Sequence, residues 1–506
     1  MPDELRDKAV GGAKWAMLTS YGGQVIGAAS NLTLAWLLDP RDWGLVAAAM
    51  VVIGVVRACG NFGVNYALVQ WRGDVRRAAP TALTLLLGIS LLAYGVIAAV
   101  APFTKGYFKD PAVPLLTLLL ALSLLCKPPS VVAEGTMRRD FHLRAIFFVE
   151  FTSQLLAAGA AVTTALLLPK SQRYWALVVG GLGWEVMRAA LSWWLTNVPL
   201  RLGFDREAAK GLLHYGKFFL GSSILMALYL SVDQLAIGHI GSPIELGLYG
   251  FALQWVSQLG IITGTIFGGV AVPLYARLQD DRVRLRYGFC RIVSYSAIIS
   301  TALLMGLVLV IPEAVRLILP PSYFDTVPIF QVLGLYYIVR AVDNCSGQLF
   351  AAIGKPNYDM YLNAVNLVAM LAPMVPLVYY MGPVGAALAL LFARVVRLVV
   401  NVAFCRRALS CALAHLVHSV LPAAAAGVVM ASTLLATKAL AAHAGLRLGW
   451  AGLVGLIVLG AAVYVAVLFL AYRELLFNMA RLIRDALLPG EGTRGEGRGA
   501  RESQDP

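Results

Sequence analysis

Asp39-Pro40-Arg41-Asp42-Trp43-Gly44-Leu45 is a short polar turn between two long apolar runs. It returns, altered, as Ser242-Pro243-Ile244-Glu245-Leu246-Gly247-Leu248. The offset is 203 residues, and it pairs Pro40 with Pro243, Asp42 with Glu245, Gly44 with Gly247 and Leu45 with Leu248. Upstream it runs on without a gap, setting Lys14-Trp15 on Lys217-Phe218 and Ser20 on Ser223. A fixed offset across two apolar hairpins predicts a duplicated unit.

Composition says what kind of unit is duplicated. Of 506 residues, 59% are hydrophobic and 13% charged, against about 25% charged in soluble domains. The mean hydropathy is +0.75. These values predict an all-α polytopic membrane protein. The net charge of +14 would suggest nucleic acid as partner in a soluble chain. Here the basic residues are scattered over short loops, so membrane topology accounts for them and no nucleic-acid partner is expected. Cys59, Cys126, Cys290, Cys345, Cys405 and Cys411 form no CxxC pair, which argues against a disulfide frame or a zinc site. The first apolar segment is long enough to span and no small-residue cleavage site follows it, so no removable signal peptide is expected.

A helix needs about 20 apolar residues to cross the hydrocarbon. Fourteen spans are predicted, near 12–38, 43–70, 79–103, 113–135, 145–169, 175–198, 214–240, 247–279, 286–312, 327–353, 358–380, 382–406, 415–439 and 449–472. Asp110-Pro111, Pro320-Pro321, Gly354-Lys355-Pro356 and Met381-Gly382-Pro383 punctuate them. Alternate loops hold 27 basic residues on the side of both termini and eight on the other, with six more inside spans. The basic excess predicts cytoplasmic termini. Residues 476–506 read as a cytoplasmic tail; Gly490, Gly492 and Gly495 spell GxGxxG there, with no strand before or helix after to make it a nucleotide site.

Charges inside spans carry the functional reading, because Arg or Lys at mid-helix costs about 2.5–3.5 kcal/mol. Arg57, Lys127, Arg188, Arg340, Arg394 and Arg397 are such residues. Arg57 shares a helical stripe with Asn61 and Asn65, Arg340 with Asn344 and Gln348, and Lys127 with Ser130 and Glu134. Glu185, Arg188 and Ser192 share another face, as do Arg394, Arg397 and Asn401. Such faces turned toward one another would line a wet, cationic lumen suited to an anion. The plainer alternatives are snorkelling to headgroups by Lys127, Arg394 and Arg397, and local ion pairs at Glu185–Arg188 and Arg340–Asp343. Asp233, Glu185, Asp343 and Glu150 are candidates for binding a coupling H⁺ or Na⁺. No DxD, P-loop, GxSxG or HExxH motif is present and no loop could hold an extramembrane domain; neither catalysis nor a metal or organic cofactor is expected.

Four motifs, in order, carry a resemblance. Leu37-Leu38-Asp39-Pro40-Arg41-Asp42-Trp43-Gly44-Leu45 resembles the first turn of bacterial polysaccharide-export flippases, with Trp43 where Phe is commoner. Gly63-Val64-Asn65-Tyr66-Ala67-Leu68-Val69-Gln70 resembles the end of their second helix. Met137-Arg138-Arg139-Asp140-Phe141 is similar to their loop after helix 4, and Ala352-Ile353-Gly354-Lys355-Pro356 to the loop after helix 10. The chain thus resembles the Wzx-like polysaccharide branch of the multidrug/oligosaccharidyl-lipid/polysaccharide exporter superfamily over about its first 400 residues. The resemblance implies two pseudo-symmetric six-helix lobes in a V, 1–200 and 201–410, with two further helices in 411–475. It implies alternating-access transport of an undecaprenyl-pyrophosphate-linked oligosaccharide across the inner membrane, for lipopolysaccharide or exopolysaccharide, alongside polymerase or assembly partners. The competing readings are a peptidoglycan-precursor flippase of the same fold and, from another class, a membrane glycosyltransferase or polymerase.

Overall fold

The computed structural model describes residues 3–59, 75–140, 142–196, 201–279, 281–409, 413–445 and 449–487. They form helices and short turns, with no strand among them. The helices are α1 (Asp3–Leu37), α2 (Pro40–Cys59), α3 (Val75–Phe108), α4 (Val113–Arg139), α5 (Leu143–Leu167), α6 (Trp175–Leu195), α7 (Arg206–Ile240), α8 (Pro243–Leu278), α9 (Arg282–Ile318) and α10 (Thr326–Ala352). The helical run Pro356–Leu409 breaks at Gly382, whose φ of 56° and ψ of −136° are open to glycine, into α11 (356–381) and α12 (383–409). Two more helices follow, α13 (Leu413–His443) and α14 (Trp450–Leu487). Each helix falls on one expected span. Seven of the helical runs, counting Pro356–Leu409 once, are long and apolar enough by themselves to cross a membrane.

The turn 39–45 is built as a helix start. Pro40 occupies the first position of α2, where its missing N–H costs nothing. The Asp42 carboxylate reaches back to accept the Asp39 backbone N–H at 3.1 Å, satisfying a donor that the helix leaves free. Burial lifts the Asp42 carboxyl above its ordinary range, against the opposing pull of that bond. The second copy repeats the device: Pro243 opens α8, and Glu245 accepts the Ser242 N–H at 2.7 Å and the Ser242 hydroxyl at 3.1 Å. The two copies then meet. A Cβ on Gly44 would collide with the Pro243 carbonyl, and one on Gly247 with the Pro40 carbonyl. The contact is reciprocal, as at a two-fold interface: each glycine meets the proline that the 203-residue offset pairs with the proline of its own copy.

The chain divides into two compact units. The first comprises 1–252, 319–326 and 373–386. Its core holds Ala82, Leu83, Val132, Ile146 and Leu212 of α3, α4, α5 and α7, and a second cluster joins Leu34 and Leu38 to Ala161, Ala165 and Ala176. Around the turn, Arg41 pairs with Asp110 at 2.8 Å, and the Tyr323 hydroxyl donates to Leu38 O at 2.9 Å. The second unit comprises 253–318, 327–372 and 387–506. There Tyr275, Tyr295, Phe350 and Leu409 are buried together. α13 and α14 pack on α9 through Ile298, Ala423, Ala426, Met430, Leu456 and Tyr464, and Lys438 pairs with Glu313 at 2.6 Å. Leu92, Phe103, Leu167, Trp194, Tyr380 and Leu470 are exposed apolar side chains, the kind of surface that lipid covers.

Candidate functional site

The span charges gather in two clusters, one in each unit. In the first, Arg188 of α6 is a fork between two carboxylates. Its Nη2 donates to Glu134 of α4 at 2.7 Å and its Nε lies 2.7 Å from Glu150 of α5. Glu134 also accepts from Arg138, at 2.9 Å from Nε and 2.6 Å from Nη2. The Arg188 guanidinium lies 5.4 Å from the Trp184 ring centroid, a cation–π distance. Glu185 is buried and does not pair with Arg188; its Oε2 has no hydrogen-bond partner. Lys127 lies within electrostatic reach of Arg57, Glu185, Arg188 and Glu134. Neither Lys127 nor Arg57 forms an ion pair among the described residues, and Arg57 is exposed.

In the second cluster Arg397 of α12 is the fork. It binds Asp343 of α10 through Nη1 and Asp359 of α11 at 2.8 Å through Nη2. Arg394, one helical turn earlier, donates to the same Asp343 oxygen at 2.9 Å and to the Tyr336 hydroxyl at 3.3 Å. Asn401 donates to Asp343 Oδ1 and to Ser346 Oγ, both at 2.7 Å. Asp343 is fully buried, and Arg394 and Arg397 are 4% and 3% exposed, so these arginines are paired in the interior rather than snorkelling. Arg340 lies over the rings of Tyr337 and Tyr336, at 5.2 Å and 6.0 Å. Asn344 is exposed. Asn61 lies outside the described residues. Asp233 of α7 sits apart from both clusters in its bonding: it accepts the Tyr249 hydroxyl at 2.5 Å and the Gln234 N–H at 2.8 Å.

Helix packing thus replaces the local pairs that the sequence offered. Glu185–Arg188 and Arg340–Asp343 give way to partners 38 to 54 residues away. Asp359 and the role of Glu134 escaped sequence reasoning. A signal was present: Glu134 and Asp343, Glu150 and Asp359, and Arg188 and Arg397 are each 209 residues apart. The fork of α4–α6 is therefore repeated, residue for residue, in α10–α12. The change from 203 to 209 places a six-residue length difference between the first turn and the fork.

Each fork fixes an arginine's donors in one plane, a geometry that matches carboxylate or phosphate. Among the described residues no group of His, Cys, Asp and Glu side chains has the makings of a metal site.

Residues 33–328 match the family described as "Polysaccharide biosynthesis protein". The lipopolysaccharide biosynthesis protein WzxC of Escherichia coli (strain K12) is 21% identical over 399 residues, 78% of this chain and 80% of that protein. The teichuronic acid biosynthesis protein TuaB of Bacillus subtilis (strain 168) is 23% identical over 359 residues, 71% of this chain and 74% of that protein. Among solved structures, the lipid II flippase MurJ in its inward closed conformation superposes with a TM-score of 0.69 at 11% identity, covering 91% of this chain and 99% of that one. At that identity the likeness concerns the fold.

Proposed function

Because the chain belongs to the polysaccharide biosynthesis protein family, we propose that it is a flippase for lipid-linked oligosaccharides in a bacterial membrane. Its cargo is an undecaprenyl-pyrophosphate-linked unit, moved by alternating access from the cytoplasmic to the outer leaflet for lipopolysaccharide or exopolysaccharide assembly. The two lobes are 1–200 and 201–410, both termini are cytoplasmic, and H⁺ or Na⁺ supplies the driving force. The observation that carries this reading is the arginine forked between two carboxylates, repeated at a constant offset in the two halves of the chain. A diphosphate crossing a bilayer needs such fixed cations, since no water is there to solvate it. Arg57 and Lys127, beside the first fork and without an ion pair among the described residues, are the cations placed to meet the incoming headgroup.

The test is glycan export in a deletion strain complemented with variants. Arg57→Ala/Lys127→Ala should lower export at least tenfold, the scale of one charge-assisted hydrogen bond (about 1.5–3 kcal/mol), while the protein still accumulates in the membrane. Lys109→Ala is the control. Normal export by a stably inserted double variant would remove the anion-binding role from this cluster.

A further inference from the structure

The two forks share three residues and differ at a fourth. The 209-residue offset that relates Glu134, Glu150 and Arg188 to Asp343, Asp359 and Arg397 also relates Glu185 to Arg394. In the second copy this position supplies another cation to the same carboxylate, so two arginines face two acids. In the first copy it supplies another acid, buried, with Oε2 unbonded. The copies differ in access as well. The Asp343 and Arg397 side chains are 0% and 4% exposed, whereas Arg188, Glu134 and Glu150 are 13%, 20% and 21% exposed. The second fork buries Asp343 and both arginines, is neutral within itself and opens only at Asp359, whose side chain is 37% exposed; the first is partly open at its arginine as well and richer in acid.

The two acids of the first fork are not equivalent. Glu134 has a second arginine, Arg138. Among the described residues Glu150 has ion-pair contact with Arg188 alone. If an anionic ligand takes Arg188, Glu134 keeps a partner and Glu150 keeps none. A carboxylate left partly buried beside other acids favours its neutral form. The charged groups that act on it are Arg188 and Glu185 of α6 and Glu134 of α4, with Arg138 one partner removed through Glu134. α1, packed on α5 through Trp15 and Phe147, adds no charge among its described side chains.

We propose that Glu150 is a stand-in anion for the cargo's diphosphate and the proton site that couples to it. The diphosphate displaces the Glu150 carboxylate from Arg188, and Glu150 takes one proton from solvent. Arg188 stays charged throughout and no other bond forms or breaks. When the diphosphate leaves, Arg188 returns to Glu150 and the proton is released; this proton travels with the cargo and keeps the occupied site neutral, so the ion that drives transport binds elsewhere. The second fork keeps its own pairs and holds α10, α11 and α12 together. This inference rests on the diphosphate reading given above.

The experiment titrates inorganic pyrophosphate into the purified full chain, with proton exchange read from calorimetry in buffers of different ionisation enthalpy. The wild-type chain should take up about one proton more per bound pyrophosphate than Glu150→Gln, and its affinity should gain about tenfold more than the variant's per unit fall in pH. The difference between the two cancels pyrophosphate's own titration. Asp359→Asn, in the other fork, should behave as wild type, which guards against a general effect of disturbing a fork. Equal proton uptake by wild type and a folded Glu150→Gln overturns the proposal and leaves the flippase reading intact. No pyrophosphate binding by the wild-type chain overturns both.

Discussion

A methyl group added to Gly44 has nowhere to go. Its Cβ would overlap the Pro243 carbonyl, which is backbone and cannot swing aside, and Gly247 faces the Pro40 carbonyl in the same way. Gly54, ten residues along α2, has open space at the corresponding position. Gly44→Ala and Gly247→Ala should each cost about 1–3 kcal/mol, the range for overpacking, while Gly54→Ala should be neutral or slightly stabilising. Thermal unfolding of the three purified variants checks this; equal melting temperatures for Gly44→Ala and Gly54→Ala would rule out the close contact. The charge-bearing residues have a matching asymmetry. Asp343 is fully buried and serves Arg394, Arg397 and Asn401. Glu134 is partly exposed. Asp343→Asn should therefore destabilise by about 3–5 kcal/mol, the cost of stranding a buried partner, and Glu134→Gln by clearly less. The denaturation midpoints of the two variants in detergent measure the difference.

At the scale of helices, the legible and the illegible divide along a physical line. Each span could be read because crossing hydrocarbon requires about 20 apolar residues, and turns such as Gly354-Lys355-Pro356 mark the ends. The break at Gly382 was legible from Met381-Gly382-Pro383. Polar faces were legible too, since side chains three and four residues apart share a face. Which faces meet was not, because it depends on how helices distant in sequence pack. Arg188 had Glu185 one turn away and instead bonds Glu134 and Glu150. Asp343 had Arg340 one turn away and instead bonds Arg394 and Arg397. Double-mutant cycles test the replacement: Arg397/Asp343 and Arg188/Glu150 should show coupling of about 0.5–3 kcal/mol, as contacting pairs do, while Arg188/Glu185 should be close to additive. Strong coupling in that last cycle, with none between Arg188 and Glu150, would restore the local pair.

The whole chain obeys two constraints, a repeat and a charge bias. Helix ends and turns bearing Arg76, Arg139 and Arg284 alternate with those bearing Lys105, Lys170 and Lys438. On the proposed topology the basic excess puts the first group in the cytoplasm. Single cysteines at these six positions should label from outside intact cells only at 105, 170 and 438; outside labelling at 139 would invert the topology. The repeat binds the halves more tightly than topology does, since it recurs in the capped turns of α2 and α8 and in the forks of α6 and α12.

The meeting of Gly44 with Pro243 and Gly247 with Pro40 has the form of a homodimer seam sealed inside one polypeptide. Across a true homodimer seam one codon change alters both sides at once. Within a fused repeat the sides mutate separately, and each glycine is judged by a carbonyl that lies about two hundred residues away in the other copy. Divergence is therefore free to turn Asp39-Pro40-Arg41-Asp42-Trp43 into Ser242-Pro243-Ile244-Glu245-Leu246, but not to touch the two positions where backbone meets backbone. Fusion lets the copies take on different tasks, and this seam is the part of the old symmetry that neither copy can leave alone.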